Sequence, residues 1–357
     1  MKKAICSFFL IFSLMMVTGC DEPTEEIALE NLEGTNAMVY HGVHDPAQLV
    51  AMDDYLMLFA SPVEWSGLAF SRNEWELLGD DMYGSESPEW YAGENAFWAP
   101  SIFEVEPGRF RLYHSAVEDE DGGGSKIGFS EVVGTAPNIQ FEIQPDYVVE
   151  SRDPEEAFAI DPAVFRDDDD RDWLVYGSHG AGIVMVELDP ETGYLADEPD
   201  NKLWGPEDER FTTIANYGGD LEENNVEAAY VYNHPKTDFY YLFVNWDRCC
   251  NGLESSYNIR IGRSTSPTGP YLDRDGNDLA DGGGTIFLDT VGNILGDERF
   301  HGPGHAGIYQ HTDGRYYFSH HFYDRELDGE AALAIWHLDW DDDWPVVNTA
   351  DVVDFSN

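Results

Sequence analysis

Basic residues are scarce in this chain: 19 Lys and Arg stand against 70 Asp and Glu in 357 residues, a formal net charge of −51. A field of that sign repels phosphate backbones, which excludes nucleic acid and anionic membrane as partners of the globular part. The shortage is not that of a disordered acidic tail. Hydrophobic residues make up 42% of the chain, and 10 Trp, 19 Tyr and 20 Phe are spread along it, enough to build a large core. The acidity therefore reads as solvation in a salty habitat rather than as a specific acidic function.

Cysteine is equally thin, with Cys6, Cys20 and the adjacent pair Cys249 and Cys250. Cys6 falls in a leader, so the mature domain has no long-range disulfide framework. The adjacent pair is too close for ordinary disulfide geometry; it is either two thiols or a vicinal ring shaping a loop, and a structural role is expected. Long apolar runs are lacking apart from Ala4 to Val17, which follows Lys2 and Lys3 and has the layout of a secretory signal rather than of a membrane span. That run ends in Val17, Thr18, Gly19 and Cys20, which resembles a bacterial lipobox. Residues 1–20 are thus expected to be a lipoprotein signal, with Cys20 lipidated and the protein exported as a cell-envelope lipoprotein at the outer surface or periplasmic face. Residues 21–34 are acidic and lack alternation, so they read as a tether, which leaves 35–357 as one catalytic-sized domain, expected to be monomeric.

What the sequence does have is repetition. HDPAQLVAMDDYLMLFAS from His44, WAPSIFEVEPGRFRLYHSA from Trp98, AIDPAVFRDDDDRDWLVYGS from Ala159, VEAAYVYNHPKTDFYYLFVNW from Val226 and GPGHAGIYQHTDGRYYFSHHF from Gly302 share one layout. Each has a polar or Pro-containing start, a short apolar strand, a tight polar turn and an aromatic strand. Each is followed by a third apolar segment: GLAFS at Gly67, KIGFS at Lys126, GIVMVEL at Gly182, NIRIGRS at Asn258 and ALAIWHL at Ala332. Such a unit cannot bury both faces alone, whereas units set radially can. The expected fold is therefore all-β, a five-bladed β-propeller. First strands line the axis of that architecture, so Asp45, Trp98, Asp161, Glu227 and His305 are expected to converge there.

Carboxylates flanking an acetal, one protonated and one ionised, are the minimum machinery for cleaving a glycosidic bond. A third carboxylate nearby raises the pKa of the acid, since like charges in one pocket do not all ionise cheaply. Carboxylates from different blades leave room for a water between them, which suits inversion.

The motifs HDP at His44, WAP at Trp98, AIDPAVF at Ala159, VEAAYV at Val226, the run WDRCCNGLESSYNIRIGRSTSPTGPY from Trp246 and GPGH at Gly302 resemble, in order and spacing, those of glycoside hydrolase family 43, most closely its endo-1,5-α-L-arabinanases. The resemblance covers about residues 40–347. It implies an inverting mechanism with Asp45 as general base, Glu227 as general acid, and Asp161 orienting that acid and tuning its pKa. It also implies arabinan or arabino-oligosaccharides as substrate, and His305 near the axis beside a largely water-coordinated calcium. Three positions depart from the pattern: Ser101 where Asp commonly follows WAP, Ala229 where Pro often follows the acid, and the GSHGAGI loop at Gly177, in which His179 stands where an aromatic sugar platform is common.

For substrate contacts the sequence nominates His44, Trp98, His179 and Arg260, the last either on a sugar hydroxyl, on Glu227, or in a surface salt bridge; Trp65 and Trp246 are weaker stacking candidates. The Asp runs at 167–170 and 341–343 read as solvated turns. The segment from Asp273 fails the helix-loop-helix calcium pattern because Gly276 falls at its fourth position, not its sixth. Alternatives to an endo-acting arabinanase are an exo-acting arabinofuranosidase or xylosidase of the same family, and a non-catalytic surface glycan-binding propeller.

Overall fold

The computed structural model describes residues 36–61, 66–71, 74–77, 88–91, 97–119, 124–153, 156–218, 224–290 and 298–355. The expected signal, lipobox Cys20 and tether, and Trp65, lie outside the described residues. Within them the chain is all-β, 22 strands with three single turns of 3-10 helix.

The strands form five antiparallel sheets that follow one another along the chain. After β1 (Met38–His41), the first sheet holds β2 (Val50–Met52), β3 (Tyr55–Ala60), β4 (Ser66–Ser71) and β5 (Glu74–Leu77). The second holds β6 (Phe97–Glu106), β7 (Arg109–Asp119) and β8 (Gly124–Thr135), with β9 (Asn138–Ile143) and β10 (Val149–Ser151) both paired to β8. The third is β11 (Ala163–Arg166), β12 (Asp172–Tyr176), β13 (Ile183–Leu188) and β14 (Thr212–Ala215); the fourth is β15 (Val226–Asn233), β16 (Tyr240–Trp246), β17 (Asn258–Ser264) and β18 (Thr285–Leu288). The fifth contains β19 (Phe300–Gln310), β20 (Tyr316–Asp324), β21 (Glu330–Asp341) and β22 (Trp344–Asn348). Into it the chain's first strand returns, β1 pairing with β21 from Met38↔Ile335 to His41↔Ala332.

The five repeated segments each supply the first two strands of one sheet, and the apolar third segments become β4, β8, β13, β17 and β21. The hairpin turns fall where a residue takes the left-handed region, at Asp53, Gly108, Asp170 and Gly314. Asp and Gly tolerate that conformation better than branched residues do.

Second strands such as β12 and β20 are buried along their whole length, because both faces of each sheet are covered by neighbours. The core is divided accordingly. Met57 and Phe59 of the first sheet pack with Ile102 and Leu112 of the second. Tyr113 and Phe129 of the second pack with Leu174 and Val184 of the third, and Val175 and Ile183 with Leu242 and Val244 of the fourth. Phe243 and Ile259 meet Phe318 and Trp336 of the fifth, and Tyr317 and Ile335 return to Leu56 and Leu58 of the first. Sheets stacked face to face in a closed circuit are a propeller arrangement.

One surface reading is modified. Asp167, in the first Asp run, is buried, accepting from the amides of Asp169 and Arg171 and from Trp173 Nε1, while its three neighbours are exposed. Asp273 spends its carboxylate on the amides of Asp275, Asn277 and Gly284, closing a turn rather than opening a cation loop.

Candidate active site

Each first strand enters the axis through a residue with positive φ: Asp45 at 43°, Ala99 at 46°, Asp161 at 54°, Ala228 at 51° and His305 at 61°. A non-glycine residue pays about 1–2 kcal/mol for that conformation, so something must hold it. In four sheets the holder is a side chain in the later part of the preceding sheet's second strand or just after it. Ala99 N donates to Ser61 Oγ at 2.6 Å, Asp161 N to Ser115 Oγ at 3.0 Å, His305 N to Asn245 Oδ1 at 3.0 Å and Asp45 N to His321 Nδ1 at 3.2 Å. The exception is the fourth sheet. There Ser178, at the matching position, donates instead to Glu227 Oε2 at 2.7 Å, and the Ala228 amide is taken by Asp161 Oδ2 at 3.1 Å.

This register adds an offset within the convergent set expected from sequence. Asp45, Asp161 and His305 occupy the left-handed position, whereas Trp98 and Glu227 stand one residue before it.

Six acids are buried among the described residues: Glu150, Asp161, Asp167, Asp172, Glu227 and Asp324. Four of them have arginine partners, namely Glu150 with Arg152, Asp167 with Arg171, Asp172 with Arg166 and Asp324 with Arg299. Asp161 and Glu227 have none. An unpaired buried carboxylate is expensive, and it survives where its chemistry is needed. Glu227 is held by neutral donors, Ser178 on Oε2 and Tyr257 OH on Oε1 at 2.8 Å, with His179 Nδ1 3.6 Å from Oε2. Burial, and then the neighbouring Glu227 carboxylate, push Asp161 up to about 8. The Asp161 and Glu227 pair therefore retains a proton at neutral pH.

Asp45 is the electrostatic opposite. Its Oδ1 lies 2.8 Å from His44 Nδ1, 3.4 Å from His305 Nδ1 and 3.6 Å from His321 Nδ1. Burial opposes its ionisation, but His44 and His305 prevail and hold its carboxyl well below the usual range. Burial is likewise outweighed by Asp45 at His44 and His305, both of which are raised. His321 is fully buried, stacks on His44 with centroids 3.9 Å apart, and is driven well below its ordinary value by burial and by His44. One site thus keeps an ionised carboxylate and a proton-bearing carboxyl pair, the separation that acid and base catalysis requires.

Two cavities open onto these groups. One, of about 370 Å³, is lined by Glu227, His179, Asn225, Arg248 and Cys249; the other, of about 560 Å³, by Asp45, His44, Trp98, Tyr323 and Cys250. Of the nominated substrate contacts, His44, Trp98 and His179 are therefore at the cleft. Arg260 is directed elsewhere: its guanidinium lies 3.8 Å from the centroid of Trp246 and donates to Asn258 Oδ1 and Gly284 O. Cys249 and Cys250 form a disulfide. Ser101 and Ala229 are buried.

Ser178, Tyr257, His321 and Tyr323 escaped the sequence reading. Ser61, Ser115, Ser178, Asn245 and His321 all follow or end an aromatic strand in a repeated unit, and that recurrence of a polar residue was the available signal. As a metal set, His44, Asp45 and His321 offer ligand atoms within 4.8 Å of one another. Two imidazole nitrogens and one carboxylate do not make the oxygen-rich shell that calcium prefers, and His305 is outside that group.

Residues 35–345 match the family described as glycosyl hydrolases family 43. The chain is 33% identical to the extracellular endo-α-(1→5)-L-arabinanase 1 of Bacillus subtilis over 253 residues, 71% of this chain and 69% of that protein. It is 29% identical to the extracellular exo-α-(1→5)-L-arabinofuranosidase ArbA of Cellvibrio japonicus over 316 residues, 86% of each. Among solved structures, an exo-1,5-α-L-arabinanase from a bovine ruminal metagenomic library superposes with TM-score 0.74 at 29% identity, covering 88% of this chain and 98% of that one. The Cellvibrio cellulosa α-L-arabinanase complexed with arabinohexaose gives 0.72 at 27%, covering 86% and 95%. The two unpaired acids and the histidine-clamped aspartate thus sit in a fold whose relatives hydrolyse glycosides, and the chain belongs to glycoside hydrolase family 43.

Proposed function

We propose that this glycoside hydrolase cleaves internal α-1,5-L-arabinofuranosidic linkages of arabinan with inversion, outside the cytoplasm. The observation that carries the reading is the separation of charge at the axis: Asp45 ionised among histidines, and Asp161 with Glu227 holding a proton without an arginine or lysine partner. In this reading Asp45 takes a proton from water as the water attacks the anomeric carbon. Glu227 delivers a proton to the departing oxygen, its orientation set by Ser178 and Tyr257. Asp161 fixes the neighbouring Ala228 amide, and because two carboxyls this close do not both ionise cheaply, the pair keeps a proton available at neutral pH.

The two carboxylates come from different sheets and face different cavities, which supports room for a water between them. One blade per sheet, five in the ring, belongs to the same reading and is supported by five core clusters that each join successive sheets. Cavities on both sides of the catalytic line, and the endo-acting Bacillus subtilis relative, support internal cleavage. The exo-acting Cellvibrio japonicus relative supports release from chain ends as the second reading. Digestion of debranched arabinan separates them: a ladder of oligosaccharides is expected, and a single small product from the outset would establish the exo mode.

Asp45→Asn and Glu227→Gln are each expected to lower kcat by about 10²–10⁴-fold with the fold retained, and full activity in either would remove that residue from the mechanism. A calcium beside His305, held mostly by water, is carried as a proposal through which no step runs; loss of melting temperature on chelation would support it. Relatives named extracellular support export. A lipid anchor on Cys20 and a monomeric state complete the proposal, and a Cys20→Ala protein released from the envelope fraction would be the expected result.

A further inference from the structure

The loop between β16 and β17 carries the disulfide across the cleft. Cys249 lines the cavity of Glu227 and Cys250 that of Asp45, so the bridge stands at the boundary between them. Cys250 has φ 66°, a left-handed conformation foreign to cysteine, and in it the amide is directed at Tyr323 OH, 2.7 Å away. Tyr323, buried on β20, is also bonded to His44 Nε2 at 2.8 Å, and His44 Nδ1 meets Asp45 Oδ1 at 2.8 Å. A single phenolic oxygen therefore ties the disulfide loop to the histidine that clamps the base.

We propose that the Cys249–Cys250 disulfide and Tyr323 form a positioning unit that holds the His44 ring, and through it the Asp45 carboxylate, in register across the cleft from Glu227. The inference rests on the reading of Asp45 as the base. Neither the cysteines nor Tyr323 need touch the reacting atoms. The covalent link between successive residues keeps Cys250 left-handed; once it opens, the backbone is free to return to the ordinary regions and the amide turns from Tyr323. The rest of the loop has its own supports, since Ser255 Oγ accepts from Asn251 N and Ser255 O bonds His301. Opening the bridge is therefore a local event.

The test is a two-by-two comparison on linear arabinan: wild type and Tyr323→Phe, each oxidised and each reduced by a water-soluble phosphine, which supplies two electrons while water supplies the protons for the two thiols and the oxygen of the phosphine oxide. Thiol titration confirms the redox state, and melting temperature confirms the fold. Reduction is expected to lower wild-type kcat by roughly 10-fold with KM changed less than about twofold, because displacing a catalytic group slightly slows chemistry more than binding. Tyr323→Phe should show the same loss while oxidised and no further loss on reduction. Equal sensitivity to reduction in both proteins, or none in the wild type, overturns the positioning unit. Failure of the oxidised wild type to cleave arabinan at all overturns the functional reading, and this inference with it. If Tyr323→Phe does not fold, the reduced wild type decides alone.

Discussion

A carboxylate buried without an arginine or lysine partner has to be tolerated by its neighbours, and Asp161 and Glu227 are tolerated in different ways. Glu227 accepts hydroxyl hydrogens from Ser178 and Tyr257, whereas Asp161 accepts one backbone amide and stays protonated up to about pH 8. Because the folded value lies above that of the unfolded chain, about 3.9, the stability linked to Asp161 is fully present below pH 4 and is lost as pH rises through about 8. Asp161→Asn cannot ionise, so its melting temperature should gain on the wild type between pH 5 and pH 9; parallel curves would show that Asp161 carries no such penalty. The rate on arabinan should decline over the same alkaline range as the pair loses its proton, while the acid limb stays low because Asp45 is ionised well below the usual range. At this scale Asp45, Asp161 and Glu227 were legible as acids at strand starts in a repeated pattern. The contacts of Tyr257 and His321 were not, since Tyr257 meets Glu227 only across their own folded sheet and His321 meets Asp45 only once the ring has brought the fifth sheet against the first.

At the scale of elements, the rule and its exception locate the chemistry. A side chain in the later part of the second strand or just after it secures the next sheet's left-handed residue in four cases, and in the remaining case Ser178 is released to hold Glu227. Ser61→Ala and Ser115→Ala remove equivalent hydrogen bonds from buried amides, so each is expected to cost about 1–3 kcal/mol in unfolding free energy. Activity should part them: Ser115 secures Asp161, and its loss should depress kcat well beyond that of Ser61→Ala, whose dependent residue is Ala99. Equal activity losses would mean that the rule is structural only. The hairpins themselves were legible because a tight polar turn between apolar strands is a local signal. The one-residue offset that puts Glu227 and Trp98 ahead of the left-handed position was not, because a side chain's register at the axis depends on backbone torsion rather than on residue type.

For the whole molecule, the dominant quantity is charge. A net of −51 on a compact ring repels itself, and that repulsion is screened within about 10 Å at 0.1 M salt. The melting temperature is expected to rise as sodium chloride increases from low millimolar toward molar; a flat or falling curve would show that the acids are already compensated. Composition made this legible at once, and repetition made the propeller arrangement legible. The way the ring is fastened was hidden, because β1 has no repeat partner and its pairing with β21 spans almost the whole chain.

That fastening makes the order of the sequence partly arbitrary. Asn36 donates to the carbonyls of Thr349 and Ala350, and the amide of Val353 donates back to Asn36. The two ends of the described domain are thus neighbours, and a short peptide would join them. If a new opening were cut at the exposed turn around Gly314, the same five sheets would be encoded in rotated order, with a split hairpin in place of the original seam. Asp45, Asp161 and Glu227 would keep their mutual places, since their spacing belongs to the circle and not to its starting point.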